Sequence, residues 1–142
     1  VETFTTNAPQ LSAHLQRLAR RVGDPHPALE RMRRMLARGE QEVWSTQGSA
    51  IGFHWATPAE ADRKSDPQLL VATGALRASL TNEGAGELAG ELELRFGTDV
   101  PYARFHQHGT SRMPARPIMG MPPDVDHGVT GLLAQLIEEA ER

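Results

Sequence analysis

His106 and His108 are the residues of this chain most suited by type and spacing to chemistry. A His-x-His pair can offer two imidazoles to a divalent metal, with Asp99, Asp124 or His54 completing the site. In a strand the two rings would share a face. A protein metal site normally takes three or four ligands, however, and spacing places no third one here. A surface or interface histidine pair is the more frequent origin of such a motif. Ser79 and Ser111 lack the Gly-x-Ser-x-Gly elbow that exposes a nucleophile. The carboxylate sets Glu91/Glu93 and Glu138/Glu139/Glu141 fall on faces expected to be exposed, where solvated charge explains them better than acid–base work. The chain has no phosphate loop and no dinucleotide fingerprint. No cofactor is implied, and the residues argue against an enzyme.

The histidines belong to a stretch, Pro101 to Asp124, that holds the only Tyr, half of the ten Pro and three of the five Met. Its middle has no clear apolar period, yet it is neither bland nor highly charged. Such a segment is a shaped loop with a task, or one that orders against a partner.

The rest of the composition is ordinary. A chain of 142 residues with 39% hydrophobic and 23% charged residues reads as one α+β domain over 1–142 with a real core. A net charge of −3 does not mark a nucleic-acid or polybasic membrane binder. Without cysteine there are no disulfides or thiolate metal sites, and redox compartment cannot be read. No apolar run is long enough to span a membrane, and the N-terminus lacks an apolar signal core, so a soluble protein made in the cytoplasm is expected. Lys64 is the only Lys among fifteen basic residues. Arg suits planar contacts at interfaces, although a GC-rich genome gives the same bias.

The elements that must position the stretch follow from periodicity. Residues about 8–47 form a helical part. Leu11, Leu15, Leu18 and Val22 mark one helix, capped by Asn7 or Ser12 and ended by Gly23. A second starts near Pro27 and buries Leu29, Met32, Leu36 and Val43, with Arg31, Arg34 and Arg38 opposite and a break possible at Gly39. A connection over about 48–68 is pinned by Phe53 and Trp55, and Thr57 to Glu60 could open a helical turn. Leu76, Ala78 and Leu80 alternate with Arg77, Ser79 and Thr81; after a Gly-rich turn, Leu92, Leu94 and Phe96 alternate with Glu91, Glu93 and Arg95. The alternation predicts a central antiparallel hairpin over about 75–97, with Arg77, Glu91 and Glu93 outward. Tyr102 and Phe105, three apart, favour a helical turn. After the long Pro-rich loop, Asp124 caps a C-terminal helix with Val125, Val129, Leu132, Leu136 and Ala140 on its inner face and Leu133 and Ile137 widening it. Glu138, Glu139 and Glu141 sit where the helix dipole disfavours anions, which calls for a neighbour's basic groups or Arg142 nearby.

Three passages in order resemble the phage virion morphogenesis proteins, the tail-completion group of tailed bacteriophages. Thr73-Gly74-Ala75-Leu76-Arg77-Ala78-Ser79-Leu80 is similar to that family's TG-x-L-x-x-S passage. Val100-Pro101-Tyr102-Ala103-Arg104-Phe105-His106-Gln107-His108-Gly109 resembles its YA-x-x-HQ-x-G, and Met113-Pro114-Ala115-Arg116-Pro117-Ile118-Met119-Gly120 its PAR-P-F-L-G, with Ile118 and Met119 for the more usual Phe-Leu. Trp55 and the polar run to Lys64 fit the linker before the first passage. The likeness runs from about Trp55 to the C-terminus; the N-terminal helices match only in kind.

The resemblance implies a structural virion protein of the neck or head-proximal tail end, assembled in the host cytoplasm as a homo-oligomeric ring. Six copies would follow tail symmetry and twelve portal symmetry. Its partners would be tail-tube or terminator proteins and neck or connector proteins, with double-stranded DNA only as passing cargo and no membrane. On this reading Tyr102, Phe105, His106, Gln107 and Gly109 lock the loop to the hairpin. Arg112, Met113, Pro114, Arg116, Pro117, Ile118, Met119 and Met121 form a preset arm for a neighbouring subunit, so removal of Arg112 to Met121 leaves a folded domain that no longer completes tails. The contrary reading folds the arm back onto its own chain. Two other functions stay open: a nucleic-acid-binding accessory protein using Arg31, Arg34 and Arg38, and a metal hydrolase using His106 and His108.

Overall fold

A computed structural model describes residues 13, 16, 17, 19–56, 74–82, 84–90 and 93–142. Residues Leu11, Leu15 and Leu18 of the first expected helix lie outside them, as do its caps, Asn7 and Ser12. So do the segment from Thr57 to Thr73 with Lys64, and Glu91 and Leu92 of the hairpin. The described residues from 13 to 21 are helical, and the chain leaves the helix before Gly23.

The long helix α1 (His26–Ser45) organises the described chain. Asp24 receives the His26 amide at 3.0 Å, which satisfies one of the free N–H groups at the helix start. Leu29, Met32, Val43 and Trp44 are buried along α1, whereas Leu36 is only half-buried. Arg31, Arg34 and Arg38 are exposed on α1. The helix runs unbroken through Gly39. That glycine serves close approach instead: a Cβ there would lie 3.0 Å from a Val125 methyl and 3.3 Å from Pro122.

Residues 75–81 depart from the alternation. They form a helix, α2 (Ala75–Thr81), not a strand. Leu76 and Leu80, four apart, are buried and Thr81 joins them, while Ala78 is only half-buried. Residues two apart alternate in a strand, but the outer pair of the three is also one helical turn apart. A seven-residue segment does not separate the two periods. Gly74, at φ +68, opens the helix, and the Gln41 side chain donates to the Thr81 carbonyl at 2.8 Å.

The antiparallel hairpin is therefore shorter and later than 75–97. It comprises β1 (Glu87–Gly90) and β2 (Glu93–Arg95), with Leu88 opposite Leu94 and an irregularity between Leu88 and Gly90. Glu93 is exposed, as expected; Arg77 is half-buried on α2 and is not on the sheet. Arg33 ties α1 to the turn before β1. Its guanidinium grips both oxygens of Glu30 and donates to the Ala85 carbonyl at 3.0 Å. The result is α+β and mostly helical, with the hairpin packed against α1.

A short helix, α3 (Ala103–His108), and the C-terminal helix α4 (Pro123–Glu141) complete the described chain. Helix α4 runs antiparallel to α1: Gly39 meets Val125, and Gly128 meets Met35. Val125 and Ala140 are buried, and Val129, Leu132 and Leu136 half-buried, which is the inner face expected. Asp124 is not the cap. Pro122 holds that position, and Asp124 and Asp126 lie in the first turn, where the dipole favours carboxylates. At the other end Arg142 pairs with Glu138 at 2.8 Å.

Between α1 and the undescribed segment the chain makes a tight 3-10 turn, Ser49–Ile51, flanked by left-handed Gly48 and Gly52. Trp55 is buried edge-on to Trp44, with ring centroids 5.3 Å apart. Phe53 does not pin this segment; it is 55% exposed. The turn depends on Gly48, at φ +84, where a Cβ would come within 2.6 Å of the Phe53 carbonyl and the Trp55 ring. Gly48→Ala should cost about 2 kcal/mol or more, combining left-handed strain with overpacking. A urea melt of the variant, showing a midpoint well below that of the parent, is the expected result.

Candidate functional site: the proline-rich arm

The arm from Gly109 to Pro123 divides into a buried base and an exposed tip. Its base begins with Gln107 on α3. The Gln107 side-chain oxygen accepts the amides of Ile118 and Met119 at 2.9 and 3.0 Å, and its NH2 donates to the Met119 carbonyl at 3.3 Å. A segment outside any sheet must find partners for its backbone polar groups, and one side chain supplies three of them here. The Arg116 amide donates to the His106 carbonyl at 2.7 Å. From the other side the Trp55 indole donates to the Pro117 carbonyl at 2.8 Å, and Arg116 Nε donates to the Ala56 carbonyl at 2.9 Å. Ile118, 1% exposed, belongs to the same core cluster as Val43, Trp44, Trp55, Leu76, Leu80 and Ala103.

Two glycines fit this close packing. Gly109, at φ +72, would place a Cβ 2.7 Å from the Ala115 amide nitrogen. At Gly120 a Cβ would lie 2.5 Å from the Ile51 side chain. The Gly120 amide donates to the Glu40 carboxyl at 3.3 Å. Glu40 is buried on α1, and burial pushes its carboxyl up to about 7 against the partial opposition of that hydrogen bond. Its second oxygen finds no partner among the described residues; the same holds for the Trp44 indole nitrogen and His106 Nδ1.

Two residues expected to reach a neighbour are thus taken up within the chain. Arg116, 8% exposed, is spent on the Ala56 carbonyl, and Ile118 on the core. Pro117 and Met119 are half-buried beside them. What remains outward is the tip, residues 110–115, with Met121. Thr110 and Met113 bridge to each other, the Arg112 amide donates to the Thr110 hydroxyl at 3.2 Å, and Arg112 and Pro114 are exposed. The buried Arg116 and the exposed Arg112 look alike in a Pro-rich run, so the sequence does not divide the arm.

The residues assigned to lock the loop also separate. Gln107 and Gly109 contact the arm directly, and His106 does so through its carbonyl. Tyr102 and Phe105 are on the surface rather than in a core, Phe105 at 42% exposure with the Arg104 guanidinium 4.7 Å from its ring centroid. Burial, then the Arg116 charge, hold the His106 ring below its ordinary pKa, so it is neutral near pH 7. Because α3 is a helix, His106 and His108 point apart rather than sharing a face. Among the described residues no three His, Asp or Glu side chains gather as a metal site. The Ser79 hydroxyl donates to the Leu76 carbonyl and lies 2.6 Å from the Thr98 hydroxyl, an arrangement that fixes the turn before α3 rather than activating a nucleophile. Arg38 lines a shallow cavity with Glu42 and Asp124, so part of the basic face of α1 is offset by carboxylates.

Two measurements test this account of the base. Gln107→Ala leaves the Ile118 and Met119 amides unsatisfied and should lower stability by about 2–4 kcal/mol in a urea melt. Glu40 keeps its proton up to about pH 7 in the folded chain and loses it near 4.5 when unfolded. The folded state therefore binds more protons between those values, and stability falls as pH rises through them, by up to about 3 kcal/mol. Melting temperatures measured from pH 4.5 to 8 should show that fall in the parent and lose it in Glu40→Gln, whose stability instead rises toward pH 6.5 because His106, held below its ordinary pKa, binds its proton more readily when unfolded.

Searches of curated proteins and of solved structures found no match to the chain. The profile of the phage virion morphogenesis family matches residues 6–138, nearly the whole sequence and both parts of the arm. The chain belongs to the phage virion morphogenesis family, whose members have a structural role in building the virion.

Proposed function

We propose that the chain is a structural protein of the phage neck or head-proximal tail end, without catalytic activity, that closes into a ring and completes the tail for joining to the DNA-filled head. The observation that carries this reading is the divided arm. Its base is fastened by Gln107, Trp55 and Arg116, so the tip is offered with little ordering left to lose on docking. Closed rings are built by heterologous contacts, in which one patch of each subunit meets a different patch of the next. The exposed apolar residues Phe53, Phe105, Met121, Leu133 and Ile137 are spread over several elements, as such contacts require. Six copies match tail symmetry and twelve match a portal. A ring of this chain, at −3 each with Glu93 exposed, would let DNA pass without holding its phosphates.

Particles assembled without the chain test the reading. Imaging should show filled heads and separate, incomplete tails, and supplying the chain should restore joined particles with about six or twelve copies at each junction. Normally joined particles in its absence would overturn it.

A further inference from the structure

The chain segregates its charge. Val100 to Pro123 contains three Arg and no acidic residue, whereas Pro117 to Glu141 contains five carboxylates and no Lys or Arg. Arg116 is buried and Asp124 and Asp126 lie in the first turn of α4, whereas the exposed charges Arg104 and Arg112 of the first stretch and Glu138 and Glu141 of the second lie on two surfaces that each carry exposed apolar side chains. One is formed by α3 and the tip, where Phe105 is exposed beside Arg104, with Arg112 on the tip. The other is the outer face of α4. Leu133 and Ile137, four residues apart and each 46% exposed, share that face with Ala134, Glu138 and Glu141. Among the described residues Glu138 pairs with Arg142, an exposed pair of the kind that contributes little and yields readily to a better partner.

We propose that the outer face of α4 in one copy receives the α3–tip surface of a second copy of this chain. The inference rests on the ring reading and names the two halves of its contact. Phe105 meets the Leu133–Ile137 stripe, and Arg104 and Arg112 meet Glu138 and Glu141. The surfaces are complementary to each other and not to themselves, since one carries an excess of Arg and the other an excess of Glu, with Arg142 the single basic residue at the end of α4. Self-pairing would set like charges opposite, whereas head-to-tail pairing repeats from copy to copy and closes into a ring. The contact also adds to Arg142 further cations for the carboxylates at the end of α4, where the helix dipole disfavours anions.

The absence of cysteine makes the contact readable by cross-linking. Ser111 on the tip and Ala134 on α4 are both exposed. In joined particles rescued by a chain carrying Ser111→Cys and Ala134→Cys, oxidation after purification should give a ladder of covalent multimers of this chain. Each single variant, and Ser111→Cys combined with Arg34→Cys on the basic face of α1, should stay monomeric. Monomer alone from the double variant would overturn the proposal, as the result expected if another part of the same chain covers α4. Dimers of Ser111→Cys alone, or a cross-link to a protein of different mass, would also overturn it. Copy number in the same particles separates the two ideas: several copies without the ladder discards this contact and keeps the ring, and a single copy discards the ring.

Charge reversal supplies a second test that does not depend on sulfur chemistry. Arg104→Glu with Arg112→Glu should lower the yield of joined particles by about tenfold or more. Adding Glu138→Arg and Glu141→Arg to the same chain should recover most of it. Failure to recover, with all variants folded, would overturn the pairing.

Discussion

The hydrogen bonds of the Gln107 side chain to Ile118 and Met119 are the constraint on which the rest of this structure depends. The arm has no sheet partner along this part, and its prolines remove donors as well as fixing direction. Burying it would leave backbone groups unmatched in an apolar setting, at a cost of the order of 1–3 kcal/mol for each. One amide side chain, held on a short helix, accepts two backbone N–H groups and returns one N–H to a carbonyl. Ile118 can then enter the core beside Val43 and Leu76, which it does without any regular secondary structure of its own.

That arrangement links parts of the chain distant in sequence. Trp55 reaches Pro117, Arg116 reaches the carbonyl after Trp55, and Glu40 on α1 reaches Gly120. The buried half of the arm therefore joins α1, the 3-10 turn and α3, rather than hanging from them. Arg116 illustrates the change of role. A guanidinium in a Pro-rich loop looks like an intermolecular hand, but here it satisfies a carbonyl at the edge of the core. The tip inherits the benefit, because a loop whose base is fixed loses less freedom when it meets another molecule.

Membership of the phage virion morphogenesis family gives this architecture a setting. A protein that takes part in building a virion needs surfaces that are exposed before assembly and covered after it. The outer faces of α3 and α4 carry large apolar side chains half-open to solvent, the first beside Arg104 and the second beside Glu138 and Glu141. The two histidines diverge on a helix, and the Ser79 hydroxyl is engaged locally.

The sequence by itself determined the α+β class, α1 with its exposed arginine face, the inner face of α4, and the family, through three short passages in fixed order. These are local properties, set by periodicity, turn residues and motif spacing. Tertiary structure decided the rest. Leu76, Ala78 and Leu80 fit a strand and a helix equally well, and packing against α1 selected the helix. Gly39 resembles a break, but the approach of Val125 makes it a contact point. Phe53 has the composition of an anchor, yet only Trp55 finds a pocket beside Trp44. The division of the arm is the clearest case: Arg112 and Arg116, or Met121 and Ile118, differ little as residue types. Which of each pair is buried follows from partners more than ten residues away in sequence, and no local pattern encodes those partners.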